Sequence, residues 1–176
     1  MFRTIQLALA TSRPRRPVQG LDLLDSSVTR MRVNIGDLDL YRHVNNGVYL
    51  QMMDVARINY IADLGLMPEL GRRGWYPVVA NSTMHYRRSL TLGQRFEIHT
   101  RTLGWDDRCV FLEQTFHRGG EQIVRGVVAG RFLSRDHTRV AGSDVAAAAG
   151  HTEASPALPA DIAAWADAFD IRHRPR

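Results

Sequence analysis

One run constrains this chain more than any other: Asp37-Leu-Asp-Leu-Tyr-Arg-His-Val-Asn-Asn-Gly-Val-Tyr-Leu-Gln-Met-Met-Asp-Val-Ala-Arg57. It opens with two carboxylates, Asp37 and Asp39, passes His43 and reaches the turn-forming Asn45-Asn46-Gly47. Asn is a favoured helix cap, and Asn-Gly readily adopts the positive φ of a tight approach. A helix starting here points its unpaired N–H groups and a partial positive charge back at the loop carrying Asp39. A carboxylate beside such donors can attack a carbonyl, or activate water against it, while the donors hold the developing oxyanion. The bland alternative is that Asp37 and Asp39 cap the turn and do no chemistry.

The helix is expected from about Asn46 to Leu64. Its polar residues, Gln51, Asp54, Arg57, Asn59 and Asp63, do not share a face, so it should be buried on most sides. Gly65 and Pro68 end it, and Gly71-Arg-Arg-Gly74 reads as a loop. A strand is expected at Val28–Ile35, and four follow the helix at Pro77–Arg88, Arg95–Leu103, Arg108–His117 and Gln122–Ser134. Connections this short require antiparallel neighbours. The chain should be α+β, with an antiparallel sheet of about five strands wrapped around one long central helix.

Charge narrows the function classes. All 23 basic residues are arginine, against 18 acids, for a net +5. The excess sits in the tails: Arg3, Arg13, Arg15 and Arg16 precede residue 21, and Arg172, Arg174 and Arg176 end the chain. A nucleic-acid-binding domain would instead cluster basic residues on its folded face. The single Cys109 allows no intrachain disulfide, and the seven histidines show no metal-ligand spacing, so no metal and no cofactor are expected. No run approaches the ~20 apolar residues of a membrane span, and stable membrane insertion is not expected. Met1–Ala10 reads as a short helix packed on the domain or a loose tail. The sharper alternative is a membrane-surface contact through Phe2, Ile5, Leu7 and Leu9.

The organisation read from composition is a basic leader at 1–20, a domain at 21–140, and a flexible linker with a short closing helix at 141–176. That helix, Asp161–Asp170, would put Ile162, Trp165 and Phe169 on one face.

The motif Asp37-x-Asp39-x-x-x-His43-Val-Asn45-Asn46, followed by Tyr49 and Asp54-Val-Ala-Arg57, resembles the signature of hotdog-fold acyl-CoA thioesterases. These are the 4-hydroxybenzoyl-CoA thioesterase-like superfamily. The order of one strand, a helix and four strands fits that fold over about residues 28–134. The resemblance implies that Asp39 is nucleophile or general base, with Asp54 as the alternative acid on the helix. It also implies oxyanion donors among the N–H groups of Asn46, Gly47 and Val48, with His43 and Asn45 shaping the loop and holding a water. Tyr49 would line the acyl pocket. Arg42, where relatives often carry a small residue, could pair with Asp39 and lower its basicity. His85, Arg87 and Arg88, with Arg72 and Arg73, are candidates for coenzyme A phosphates. Asn81 and Thr83 could polarise the thioester or bind water.

The reading is hydrolysis of acyl-CoA or acyl-carrier-protein thioesters by a cytoplasmic homodimer or dimer of dimers. The alternative is a hotdog protein that binds acyl thioesters, or a partner, without turnover. A hydratase reading would need a catalytic His in another motif, which is absent.

Overall fold

The computed structural model describes residues 2–171. In chain order its elements are α1 (Phe2–Ser12), β1 (Ser27–Arg32), α2 (Asn46–Asp63), α3 (Met67–Arg73), β2 (Tyr76–Tyr86), β3 (Arg95–Trp105), β4 (Val110–Arg118), β5 (Glu121–Leu133), β6 (Arg139–Val140), α4 (Gly142–Ala148) and α5 (Ala160–Ala168). The five long strands form one antiparallel sheet in the order β1-β3-β4-β5-β2, and the two-residue β6 pairs with β5. The sheet curls round α2, the expected α+β hotdog arrangement.

Alternation along the strands separates two faces. Phe96, Ile98, Phe116, Val124 and Val128 turn inward and pack on Tyr49, Met52, Met53 and Ala56 of α2. At Gly126 a Cβ would lie 2.5 Å from Met53 Cε, so the missing side chain lets α2 approach β5 closely. The opposite face of the sheet is covered by α5, through Ile162 and Ala166 against Phe111, Val127 and Ala129.

The buried polar residues of α2, Asn59 and Asp63, each have a partner. Asn59 Nδ2 donates to Thr29 Oγ1 at 3.1 Å, and Asp63 accepts from Ser27 Oγ at 2.6 Å and Arg15 Nη1 at 3.2 Å. Buried polar groups need such bonds, and here each tie runs to a different neighbour.

Three sequence readings are corrected. The segment 71–74 is not a free loop: α3 runs to Arg73 and stops at Gly74, whose φ of 66° suits glycine. The segment from Ala141 is not a flexible linker. It contains α4, whose Val145 and Ala146 are buried against Trp105 and Phe132. Its small residues serve close packing, since a Cβ on Gly142 would lie 2.6 Å from both Asp106 O and Trp105 Cβ. On α5, Phe169 is 65% exposed, and Ala166 completes the buried face with Ile162. Residues 172–176 lie outside the described residues.

The leader forms α1, packed on α2 and the core through Leu7 and Ala10, while Phe2, Ile5 and Leu9 face outward. Its anchor is Arg3. Nε donates to Asp37 Oδ1 at 3.0 Å and Nη2 to Asp37 Oδ2 at 2.6 Å, with the two side chains 3% and 1% exposed. Asp37 Oδ2 also accepts the Asn34 N–H at 2.7 Å, so this residue is structural, as expected. No described helix is long and apolar enough to cross a membrane.

Breaking a buried pair from one side leaves a lone charge. Asp37→Ala should therefore cost about 3–5 kcal/mol, roughly 6–20 °C in Tm for a chain of this size. Thermal melts check this, with the double variant Arg3→Met/Asp37→Leu expected to melt above Asp37→Ala. An unchanged Tm for Asp37→Ala would contradict the buried pair.

Candidate active site

The loop between Asp37 and α2 is a closed, hydrogen-bonded structure. Asp39 N–H donates to His43 O at 2.8 Å, and Arg42 N–H donates to Asp39 O at 3.1 Å. Isolated bridges join Leu38 to Val44 and His43 to Thr91. Arg42 takes φ 62° at the turn, which allows the reversal within so few residues. Asp39 Oδ1 accepts the N–H groups of Tyr41 at 2.8 Å and His43 at 3.2 Å. Asp39 Oδ2 bonds to no described residue. The carboxylate is thus oriented through one oxygen and leaves the other available to an open cleft bordered by Ile35, Tyr41, Arg42, His43 and Leu92. Among the described residues Arg42 makes no ion pair with Asp39.

The loop is tied to the helix start. Asn45 N–H donates to Asp37 O at 2.9 Å, and Asn45 is the N-cap of α2. Its Oδ1 accepts the Gly47 N–H at 2.9 Å and its carbonyl accepts the Val48 N–H at 2.9 Å. Of the three proposed oxyanion donors, two are therefore engaged within the cap. The Asn46 N–H donates to no described residue and is the open donor of this turn. Val48 itself is partly buried against the core.

Tyr49 is 2% exposed and does not border a described cavity. Its hydroxyl accepts the Leu90 N–H at 3.0 Å, its ring packs edge-on against Tyr86 and Phe116, and burial raises its pKa. It braces the core instead of lining an acyl pocket. Tyr86, whose hydroxyl reaches Asn46 O at 3.4 Å, also has its pKa raised by burial. Arg87 and Arg88 follow Tyr86 and so sit at the same end as the helix start; Arg88 pairs with Glu121 at 2.9 Å. Arg72 and Arg73 pair with Glu69 at the other end of β2.

Asp54 pairs with Arg57, whose Nη1 also donates to Gln114 Oε1 at 2.7 Å. Burial lowers the Arg57 pKa, with Asp54 opposing. Asn81, Thr83 and His85 lie away from Asp39. Asn81 accepts the Ser82 N–H, and Thr83 and His85 border a small cleft with Arg125, Asp161 and Trp165 under α5. Period-2 alternation sends these three to the outer face. Among the described residues no cluster of three or more His, Cys, Asp and Glu side chains could hold a metal ion.

Two features had no signal in the sequence. Arg3, from the leader, is a partner of the site loop through Asp37. A cavity of about 190 Å³ lies between the second half of α2 and the sheet, lined by Leu23, Ile58, Ile61, Val79, Leu112 and Val128 among others. In it Tyr60 OH bonds Leu23 O and Thr102 Oγ1, and burial lifts its pKa to about 12. Both features need contacts between segments far apart in sequence.

Among known proteins, the chain is 35% identical over 131 residues to protein THEM6 of Xenopus laevis, covering 73% of this chain and 61% of that protein. It is 29% identical over 136 residues to protein THEM6 of Drosophila melanogaster, covering 77% and 69% respectively. The matched part spans only about half to two-thirds of these relatives. Among solved structures, YbaW, a probable thioesterase from Escherichia coli, superposes with TM-score 0.65 at 20% identity over 71% of this chain and 96% of that one. A 4-hydroxybenzoyl-CoA thioesterase mutant complexed with 4-hydroxybenzoyl-CoA superposes with TM-score 0.64 at 17% identity over 71% and 99%. The BH1999 gentisyl-coenzyme A thioesterase gives TM-score 0.61 at 23% identity over 71% and 100%. At these identities the likeness shows the hotdog fold. A profile of the thioesterase-like superfamily matches residues 33–166, most of the chain, and the chain belongs to that superfamily.

Proposed function

We propose that this chain hydrolyses acyl-CoA or acyl-carrier-protein thioesters, with Asp39 as general base or nucleophile. The observation that carries the reading is the pinning of Asp39. Its Oδ1 is held by two backbone N–H groups while Oδ2 stays open to the cleft, on a loop bonded to the N-terminus of α2. A carboxylate oriented this way meets the geometric requirement of a base. In the hydrolytic step Oδ2 accepts a proton from water as the water oxygen bonds to the thioester carbon. The carbonyl electrons move onto oxygen, opposite the Asn46 N–H and the positive end of α2. Collapse breaks the C–S bond, and the leaving thiolate takes up a proton. We assign Arg87, which follows Tyr86 in sequence, to the phosphates of coenzyme A.

Among the described residues no strand pairs with the outer edge of β2, and an exposed edge this long is an aggregation hazard unless covered. We place a second copy of the chain there, as a homodimer or dimer of dimers. Light scattering after size exclusion should give twice or four times the 19.9 kDa chain mass; a monomer at working concentration would remove the edge-pairing claim.

One observation favours the second reading, a binding protein without turnover: Asp39 already serves as an Asx-turn acceptor, as in the bland reading. Asp39→Asn keeps the Oδ1 acceptor and removes the base. Release of free thiol should then fall by about 10²–10⁴-fold, with Tm within a few degrees of the parent. Unchanged turnover would remove Asp39 from the chemistry. No turnover in the parent, with acyl-CoA still raising Tm, would establish the binding reading.

A further inference from the structure

Large apolar side chains stand exposed around the candidate site, and the proposed chemistry does not use them. Ile35 is 79% exposed, Leu40 100%, Tyr41 82% and Leu92 55%. Ile35, Tyr41 and Leu92 border the cleft into which Asp39 opens, and Leu40 lies in the turn closed between Asp39 and His43. Contiguous exposed apolar surface marks a binding face. A second apolar stripe lies on α1. Phe2, Ile5 and Leu9 follow the three- and four-residue spacing of one helical face and are each about half exposed, while Leu7 and Ala10 pack on the core. The two sets meet where Arg3 holds Asp37, and Phe2 borders an open cleft with Asn34, the residue before Ile35.

Arginines without acid partners flank both sets. The guanidinium groups of Arg13, Arg16, Arg42 and Arg95 bond to no described residue. Arg32 lies directly opposite Arg95 in the ladder, and its Nε donates to Gly93 O at 3.0 Å, next to Leu92. Like charges facing each other across a strand pair are unfavourable, yet neither arginine pairs with a described acid. Glu97, two residues on from Arg95 along the same face, is taken up by Arg30 at 2.9 Å, and no acid occurs before Asp22. The complement of this surface is therefore apolar and negatively charged. A second copy of the chain does not supply it, because a two-fold contact sets a patch against itself and brings its arginines together. An acidic protein would need a separate pocket for each protruding side chain, Leu40 above all. The boundary between lipid headgroups and acyl tails accepts such side chains in any arrangement, while its phosphates meet the arginines.

We propose that this face docks on an anionic phospholipid bilayer as a peripheral contact. Leu40, Tyr41 and the exposed stripe of α1 enter the interface, and the flanking arginines lie at the headgroups. A single weak anchor gives only marginal binding, so the two apolar sets act together with the charge. The mouth of the Asp39 cleft then faces the lipid, and no described helix crosses it.

The test is sedimentation of the full chain with vesicles of phosphatidylcholine alone and of equimolar phosphatidylcholine and phosphatidylglycerol, at about 0.1 M and about 1 M salt. The chain should pellet with the anionic vesicles, stay in solution with the neutral ones, and be released at high salt. Each arginine removed should weaken binding about fivefold, or about 25-fold for Arg42→Gln/Arg95→Gln. Leu40→Ser/Tyr41→Ser and Ile5→Ser/Leu9→Ser should each weaken it about tenfold or more. Their Tm should stay within a few degrees of the parent, since all four side chains are exposed. Equal pelleting with neutral vesicles, or pelleting that all three variants leave unchanged, overturns the proposal. No pelleting with anionic vesicles overturns it too, and leaves the face to an acidic protein, or to a second copy if Leu40→Ser/Tyr41→Ser also halves the mass in light scattering. Binding is read without turnover, so this result is separate from that of the thioesterase reading.

Discussion

Burial of α2 is the constraint on which the rest of the molecule depends. Its exposed residues, Asn46, Gly47, Leu50 and Gln51, all lie in the first two turns. Beyond them every residue of the helix is at least partly buried. Such a helix cannot leave buried polar side chains unpaired, and these tie its neighbours to it: Asn59 to β1, Asp63 to β1 and the leader, Arg57 to β4. The sheet must curl to meet a cylinder, and Gly126 opens the space where helix and sheet come closest.

The proposed reacting end is where this burial stops. With the helix held along its length, its first turn is exposed with the Asn46 N–H bonded to no described residue, beside a loop whose own backbone bonds are closed. The loop's rigidity comes partly from outside the superfamily region. Arg3 fixes Asp37, Asp37 O fixes Asn45, and Asn45 caps α2. Two acidic residues separated only by Leu38 thus differ: Asp37 is buried and paired, and Asp39 is partly exposed with one oxygen that bonds to no described residue. Their sequence contexts are nearly alike, so burial makes the difference.

The long helix and the four strands after it were legible because their patterns are local: 3.6-residue spacing with an Asn cap, and period-2 alternation broken by Gly-containing turns. The same alternation, followed to its consequence, places Asn81, Thr83 and His85 on the face away from α2, and it was the assumption of a shared site that failed. The 141–159 segment was misread because Ala and Gly mark both loose chain and very close packing, and only Trp105 and Asp106 against Gly142 distinguish the two. Tyr49 sits in a recognisable motif, yet its hydroxyl is spent on Leu90, a partner 41 residues away. The engagement of the Gly47 and Val48 N–H groups by Asn45 follows from ordinary capping and leaves the Asn46 N–H as the donor of this turn without a described partner.

The most direct test of this account is a structure of the chain with a non-hydrolysable alkyl-CoA ketone, in which a methylene replaces the thioester sulfur. The ketone oxygen should lie about 2.7–3.1 Å from the Asn46 nitrogen, with Asp39 Oδ2 facing the carbonyl carbon. A ketone bound away from both Asp39 and Asn46 would contradict the assignment of this loop as the reacting site.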